Sequence, residues 1–518
     1  MNKLLLFLPV FVVLLQGCTK DKKSESTEFP NIIFILADDM GYGDVSCLNE
    51  DAKVSTPNLD KLASEGMIFH DAHSGSAVCT PTRYGILTGR YCWRSRLKRG
   101  VLSPWDEPLI ESERLTVGDM LKSKGYTTAC IGKWHLGWQW ATTDGSRIAD
   151  MAEDGKTPDK AQRQEFGEKV DFTKPVAEGP LTRGFDYYFG DDVPNYPPYC
   201  FIENDKTVGS LNQTKPDSMF GHPGPMVEGW KLEDVMPILT HRTVDYISNK
   251  GKVFKREKGK PFFLYFPLTA PHTPIAPAKE FQGTSTAGAY GDYVQQVDWT
   301  VGQVLKALER EGLADNTLII FTSDNGSPAR SGENMLGGLR SVLKYGHNPS
   351  YHFTGIKADI YEGGHHVPFI AKWAGEIKAG SVSEETICHT DFMATCAAIV
   401  GYDLPDNAAE DSYNLLPILE GQNFTSPLRE ATVHHSAQGQ FAIRQGEWKL
   451  ILGGGSGGWT SPTNDKQAEK QGLPLMQLYK VNGDVGEKEN LYEQNPEVVE
   501  QMTVLLEQYK TEGRSAPR

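Results

Sequence analysis

Four apolar runs stand out along the chain, and each stops at residues that can do chemistry. Asn31-Ile32-Ile33-Phe34-Ile35-Leu36-Ala37 ends in Asp38-Asp39-Met40-Gly41, and Thr127-Thr128-Ala129-Cys130-Ile131 ends in Gly132-Lys133-Trp134-His135. Pro261-Phe262-Phe263-Leu264-Tyr265-Phe266 leads to Ala270-Pro271-His272-Thr273-Pro274. Thr317-Leu318-Ile319-Ile320-Phe321-Thr322 leads to Ser323-Asp324-Asn325-Gly326. Short continuous runs of this kind predict strands buried on both faces of a parallel sheet. Ligand sites in open α/β sheets lie beyond the carboxyl ends of such strands. The residues after each run are therefore the first place to look for function.

Helices are predicted between the runs. Thr56 to Gly66 has an N-cap, a proline at the first helical position and a glycine stop, with Leu59, Leu62 and Ala63 as a packing stripe. Leu115 to Lys124 and Gly291 to Leu308 also look helical, and Pro368 to Trp373 looks like a strand. Residues from about 141 to 180 are polar and predict a surface loop or an insertion. Arg183 to Phe201 is rich in aromatics, with Tyr196 and Tyr199 in a proline-rich turn. Such residues either stack on sugar rings or pack on a core. From about Pro405 the pattern changes to short strands, Phe441 to Arg444 and Trp448 to Leu452, separated by turn signals. A last helix, Pro496 to about Lys510, is apolar at Val498, Val499, Met502, Leu505, Leu506 and Tyr509. The expected organisation is an α/β domain over 29–404 and an α+β subdomain over 405–518, a small antiparallel sheet with a helix packed on it.

Composition adds three constraints. A formal charge of −15 over 518 residues, with no basic tail, argues against nucleic acid as a main partner. Lys3 and the apolar run Leu4 to Leu15 are built like a signal peptide and are too short to span a bilayer comfortably. The run ends in Leu15-Gln16-Gly17-Cys18, which resembles the bacterial lipobox and implies removal of 1–17, lipidation of Cys18 and a polar tether over 18–28. An uncleaved single-helix anchor is the alternative. The expectation is an exported protein, lipid-anchored to a bacterial membrane. Six further cysteines besides Cys18 and Cys79 permit disulfides in that compartment, with no readable connectivity.

The candidate chemistry centres on Cys79-Thr80-Pro81-Thr82-Arg83. Pro81 suits a first helical turn, and Arg83 follows Cys79 by four residues, on the same helix face. That places a nucleophile at a positive helix end beside a fixed guanidinium, a natural seat for a tetrahedral anion. The alternative is a buried structural cysteine. Asp38, Asp39, Asp324 and Asn325 together offer a hard, all-oxygen site for Ca2+ or Mg2+, and otherwise are solvated turns. Lys133 and His135, pointing to one side of an extended segment, can bind an anion or decorate the surface. His272 is held between two prolines. Lys357, after a glycine-containing turn, is a further candidate or simply exposed. The basic segment Arg90 to Arg99 either guides an anionic substrate or is a solvated loop.

In order and spacing, the motifs resemble the formylglycine-dependent sulfatases of the alkaline phosphatase superfamily, over nearly the whole chain after residue 28. The matching pieces are Leu36-Ala37-Asp38-Asp39, Cys79-Thr80-Pro81-Thr82-Arg83 with Leu87-Thr88-Gly89-Arg90, Gly132-Lys133-Trp134-His135-Leu136-Gly137, Pro271-His272, Ser323-Asp324-Asn325-Gly326 and Tyr361-Glu362-Gly363-Gly364. The resemblance implies a large mixed, mostly parallel sheet sandwiched by helices. It implies that a maturing enzyme oxidises Cys79 to formylglycine, whose hydrate supplies the nucleophile. Asp38, Asp39, Asp324, Asn325 and the modified Cys79 would hold Ca2+, with Mg2+ the second choice. Arg83 would stabilise the hydrated aldehyde, and Lys133 and Lys357 would bind sulfate. His272 would protonate the leaving alcohol, and His135 would help expel sulfate. One departure is visible: many relatives follow the Glu-Gly-Gly piece with an apolar residue and an arginine, where this chain has His365-His366.

The function implied is release of sulfate from a sulfated carbohydrate by an exo-acting enzyme of glycan degradation, with galactose or N-acetylgalactosamine sulfate favoured. Residues 183–222 and 340–352, which would form the pocket, match no usable pattern. A phosphodiesterase or phosphonate hydrolase of the same superfamily is one alternative. A non-catalytic glycan-binding lipoprotein is another.

Overall fold

A computed structural model describes residues 29–148, 159–257, 259–422 and 426–517. The signal-peptide and lipobox residues lie outside them. Among the described residues, no helix is long and apolar enough to cross a membrane.

A ten-stranded sheet forms the frame. In chain order its strands are β1 (Asn31–Asp38), β2 (Met67–Phe69), β3 (Thr127–Ile131), β4 (Tyr187–Gly190), β5 (Ile202–Glu203), β6 (Lys206–Thr207), β7 (Phe262–Pro271), β8 (Thr317–Ser323), β9 (Phe369–Lys372) and β10 (Ser381–Ser383). Their spatial order is β10-β2-β9-β8-β1-β7-β3-β4-β5-β6. The central run β8-β1-β7-β3-β4 is parallel, and antiparallel pairs extend it on both sides. All eight residues of β1 are buried. Ile32, Phe34 and Leu36 enter one core, while Ile33, Ile35 and Ala37 enter the other. Burial on both faces is what an unbroken apolar run requires.

Helices cover both faces. In chain order the main ones are α1 (Pro57–Ser64), α2 (Cys79–Thr88), α3 (Val117–Ser123), α4 (Lys160–Lys169), α5 (Val235–Arg256), α6 (Gly288–Glu311), α7 (Phe392–Val400) and α8 (Pro496–Glu512). α2, α3 and α7 pack together in the first core, and α1, α5 and α6 in the second. A separate four-stranded antiparallel sheet comprises β11 (Thr432–His435), β12 (Phe441–Gln445), β13 (Trp448–Ile451) and β14 (Gln477–Lys480). α8 lays Met502, Leu505, Leu506 and Tyr509 on it, against Val433, Ile443, Leu450 and Leu478.

Three local expectations change. The polar stretch 141–180 contains a helix, α4, capped reciprocally by Asp159 and Gln162. The aromatic-rich stretch mostly packs: Phe185, Tyr188, Phe189, Tyr199 and Phe201 are buried, and Tyr187–Gly190 is a strand of the large sheet. Several cations of the basic segment are already engaged within the fold. Arg94 grips Asp411 at 2.8 Å, Arg90 meets Glu410 at 3.1 Å and Lys98 donates to the Trp93 carbonyl. The cysteines Cys47, Cys79, Cys92, Cys130, Cys200, Cys388 and Cys396 are free thiols.

Candidate active site

Strand register assembles the site. Ala37 pairs with Ser323 across β1–β8, and Asp38 pairs with Pro271 across β1–β7. Asp38 and Asp39 are thereby set beside Asp324 and Asn325 on one flank and His272 on the other. Asp39 has a positive φ of 66°, tolerable for aspartate. Its N–H donates to Asp324 Oδ1 at 3.2 Å, and Asn325 Nδ2 donates to Asp39 Oδ1 at 2.7 Å.

α2 runs into this cluster. It starts at Cys79 itself, so Pro81 lies inside the first turn rather than opening it. All ten of its residues are buried. Arg83, one turn beyond Cys79, donates to Asp324 Oδ2 at 2.7 Å and to the Lys133 carbonyl at 3.0 Å, and stands 3.5 Å from Asp38. Lys133 Nζ is 2.6 Å from Asp38 Oδ2, and Lys357 Nζ is 2.6 Å from Asp39 Oδ1. His272 Nε2 lies 3.7 Å from Asp39 Oδ2. The Lys357 turn is tied to the cysteine segment by Ala358 N–H donating to the Ala77 carbonyl at 2.8 Å.

Lys133 and His135 reach the site by a different route from an extended strand. β3 ends at Ile131, and Gly132 takes φ 128° where an added Cβ would fall 1.8 Å from the Pro267 carbonyl oxygen. Only glycine makes that approach. His135 then adopts φ 52° and places Nδ1 3.3 Å from Cys79 Sγ. Its Nε2 faces the Leu102 carbonyl at 3.0 Å, so Nε2 carries the proton and the Nδ1 lone pair faces the cysteine.

The ten residues expected from the sequence thus converge. Two that it did not single out join them: Asp191 and Asp192 follow β4. Asp192 Oδ1 accepts the His135 N–H at 3.1 Å and Trp138 Nε1–H at 3.0 Å, fixing the histidine turn. The signal was available, because Phe189-Gly190-Asp191-Asp192 repeats the apolar-run-then-acid pattern of β1. It was hidden by the shortness of a four-residue aromatic strand.

Electrostatics follow from packing so many charges away from water. Burial raises Asp38, but Lys133, His272, Arg83 and Lys357 together hold it well below the usual carboxylate range. Burial and the Asp38 carboxylate push Asp324 up against the pull of Arg83. Burial and Lys357 lower His272 to about 4, and burial and Lys133 lower His135 to about 3. Two buried oxygens, Asp38 Oδ1 and Asn325 Oδ1, have no hydrogen-bond partner, although buried oxygens ordinarily find one. Carboxylate and histidine atoms of Asp38, Asp39 and His272 lie within 4.8 Å of one another. Carboxylates, an amide oxygen and unpartnered lone pairs are the donor set of a hard divalent cation, and the residues fit one.

A protein-family model described as Sulfatase matches residues 30–402. An N-acetylgalactosamine-6-O-sulfatase of Bacteroides thetaiotaomicron is 32% identical over 98% of this chain and 99% of its own length. The human N-acetylgalactosamine-6-sulfatase is 31% identical over 77% of this chain and 67% of its own. A solved B. thetaiotaomicron 6S-sulfatase, from work on the metabolism of multiple glycosaminoglycans, superposes with a TM-score of 0.76. It is 31% identical and covers 93% of this chain and 100% of its own.

Proposed function

This chain belongs to the sulfatase family, and from that premise we propose that it removes the 6-sulfate of N-acetylgalactosamine in a glycan, through a formylglycine made from Cys79. The chain is a sulfuric ester hydrolase. The sugar is inferred from the two N-acetylgalactosamine sulfatases that resemble it over most of its length. One observation carries the catalytic reading: Cys79 at a helix start, with His135, Arg83 and two lysines, converges on four oxygen donors, two of which have unpartnered oxygens.

Oxidation of the Cys79 thiol to an aldehyde by a maturing enzyme, followed by hydration, puts two hydroxyls on one carbon. The helix N-terminus and Arg83 favour negative charge at that carbon. Lys133 and Lys357 bind sulfate oxygens. One hydroxyl gives its proton to the Asp324 carboxylate, which burial makes more basic, and attacks sulfur. The ester S–O bond breaks, and His272 gives its proton to the leaving alcohol and is reprotonated from water before the next turnover. An anionic sulfate group beside His272 raises its pKa, the direction an acid role at neutral pH needs. The second hydroxyl then loses its proton to the Nδ1 lone pair of His135. The bond to sulfate breaks and the aldehyde returns. Asp38, Asp39, Asp324 and Asn325 would hold Ca2+, which supplies a Lewis acid that polarises a sulfate oxygen and neutralises charge.

The test is sulfate release from a panel of sulfated monosaccharides and an aryl sulfate, using protein made in a host with a sulfatase-maturing enzyme. Mass spectrometry of the Cys79 peptide is expected to show the aldehyde. Chelation is expected to abolish turnover, and Ca2+ to restore it. Turnover of aryl sulfate alone sinks the glycan reading, and an unmodified thiol in active enzyme sinks the mechanism. Export and a lipid anchor at Cys18 belong to the same proposal, supported by the lipobox-like residues.

A further inference from the structure

Asp191 is a buried carboxylate for which the fold has no use. Its residue is only 3% exposed, yet neither Oδ1 nor Oδ2 has a hydrogen-bond partner. The adjacent Asp192 is engaged, through Oδ1, by both His135 and Trp138. The backbone of Asp191 is employed too, its carbonyl accepting from the Trp134 N–H at 3.2 Å and the Tyr188 hydroxyl at 3.0 Å. Only the side chain is left over. Lys133 is the positive charge that acts on it most, but is already committed to Asp38 at 2.6 Å. Leaving an acceptor buried and unpaired costs about 1–3 kcal/mol, more for a charged group, so an idle carboxylate points to a donor that arrives with a ligand.

Its position says which ligand. Asp191 caps the strand next to the one that delivers Lys133, at the same carboxyl edge of the sheet. Five residues on, Tyr196 stacks on His222 with centroids 4.1 Å apart and ring planes within 8°. That pair lines a cavity of about 440 Å³ together with Trp105, Arg163, Asn212 and Gln213. Two segments of that lining are joined along the chain to partners of His135: Tyr196 follows Asp192, which accepts the His135 N–H, and Trp105 follows Leu102, whose carbonyl faces its Nε2. A flat aromatic platform with amides and an arginine around it suits a pyranose ring and its hydroxyls.

We propose that Asp191 is a specificity residue for this sulfatase, its carboxylate accepting hydrogen bonds from free ring hydroxyls of the sugar whose sulfate is bound at Lys133. The inference rests on the glycan reading of the same site. Two hydroxyl donors satisfy both idle oxygens with charge-assisted bonds, the strong kind. Burial and Asp192 raise the acid to about 7, and donors from the sugar favour its ionised form. An ester without those hydroxyls leaves a buried carboxylate unpaired, and sites of that design reject the deficient ligand strongly.

The experiment compares kcat/KM of wild type and Asp191→Asn on three esters: N-acetylgalactosamine 6-sulfate, its 4-deoxy analogue and 4-methylumbelliferyl sulfate. In wild type, the hydroxylated sugar is expected to exceed the deoxy sugar at least about 100-fold. Asp191→Asn is expected to lower the sugar-to-aryl ratio by a similar factor and to lose most of the preference for the 4-hydroxyl. Equal loss on sugar and aryl esters assigns Asp191 a structural or Lys133-orienting role and overturns the proposal. So does a wild type indifferent to the 4-hydroxyl, a measurement that needs no folded variant. A wild type that turns over the aryl ester but no sugar ester overturns the glycan reading itself, and the role of Asp191 with it.

Discussion

A serine at position 79 would keep a hydroxyl at the helix start and still fail as a catalyst. Attack on sulfur would leave a sulfate ester on Oγ with no second hydroxyl to expel it. Cys79→Ser is therefore expected to lower steady sulfate release roughly 10³-fold or more while accumulating sulfated protein. Intact mass measured after mixing with substrate shows the adduct, and wild-type turnover by this variant would sink the gem-diol argument. At this scale the sequence was legible wherever function needs a rare residue at a strand end: Asp38, Asp39, Lys133, His272, Asp324 and Asn325 all stand there. It was less legible where a side chain's role depends on what fails to touch it. Asp191 and Asp192 are adjacent and chemically identical, yet Asp192 accepts from two donors and Asp191 from none. No property of the chain before folding separates them.

Among the elements, the reactive helix α2 is the most constrained, because it is buried along its whole length and must stop abruptly. Gly89 ends it at φ 64°, where an added Cβ would meet Ala409 Cα at 2.9 Å and Met393 Cβ at 3.0 Å. Gly89→Ala adds both left-handed strain and overpacking, and is expected to destabilise the protein by about 2–4 kcal/mol. Urea unfolding measures it, and a loss below about 0.5 kcal/mol would show that the α2–α7 contact yields easily. The strands were readable because burial on both faces leaves no polar positions to blur the run. α5 was not. Its buried positions Val235, Met236, Leu239, Thr240, Thr243, Ile247 and Gly251 keep a helical period over 22 residues, but threonines and a glycine weaken the apolar signal, and Pro237 reads as a breaker. Pro237 is harmless in the first turn, where its missing N–H has no partner. α4 was missed for the opposite reason: its surface is almost wholly polar, with Phe166 as its buried anchor.

The small sheet packs on residues 71–73 and 362–366 over a seam of buried charge that the sequence hinted at only through His365-His366. Lys449 of β13 bridges Glu362 at 2.9 Å and Glu487 at 2.8 Å, and Arg444 of β12 reaches Asp71 and, at 2.9 Å, His73 Nε2. His366 spans Glu362 and the His70 carbonyl. Ring nitrogens of His73, His365 and His434 come within 4.8 Å of one another, the spacing of a metal site. Yet His365 and His434 stack at 3.9 Å with planes 7° apart. Two parallel ring planes share no point, so one ion cannot lie in the plane of both rings. The seam is instead built of neutral imidazoles, and that makes the whole molecule sensitive to acid. Burial lowers His73 and His435 to about 4, and lowers His365 and His434 well below their ordinary value. The unfolded chain protonates all four near pH 6.5, so it binds more protons than the folded chain between about pH 6.5 and 4. The stability these groups contribute is complete above that window and falls through it by about 1.4 kcal/mol per pH unit for each histidine. Glu487, raised to about 7 by burial against the pull of Lys449, works the other way, as do the raised Asp191 and Asp324. His135, His272 and His389, however, are lowered like the four of the seam and keep the balance on the side of acid sensitivity. Urea unfolding at pH 7, 6 and 5 is expected to show a loss of about 3 kcal/mol or more, largest below pH 6.5. In His434→Asn the amide N–H can still donate to the Ser74 carbonyl, which His434 meets at 2.9 Å, and one titrating ring is gone, so the slope should become shallower. Stability that stays flat from pH 7 to 5 would mean that the imidazoles of the seam carry their protons in the folded enzyme.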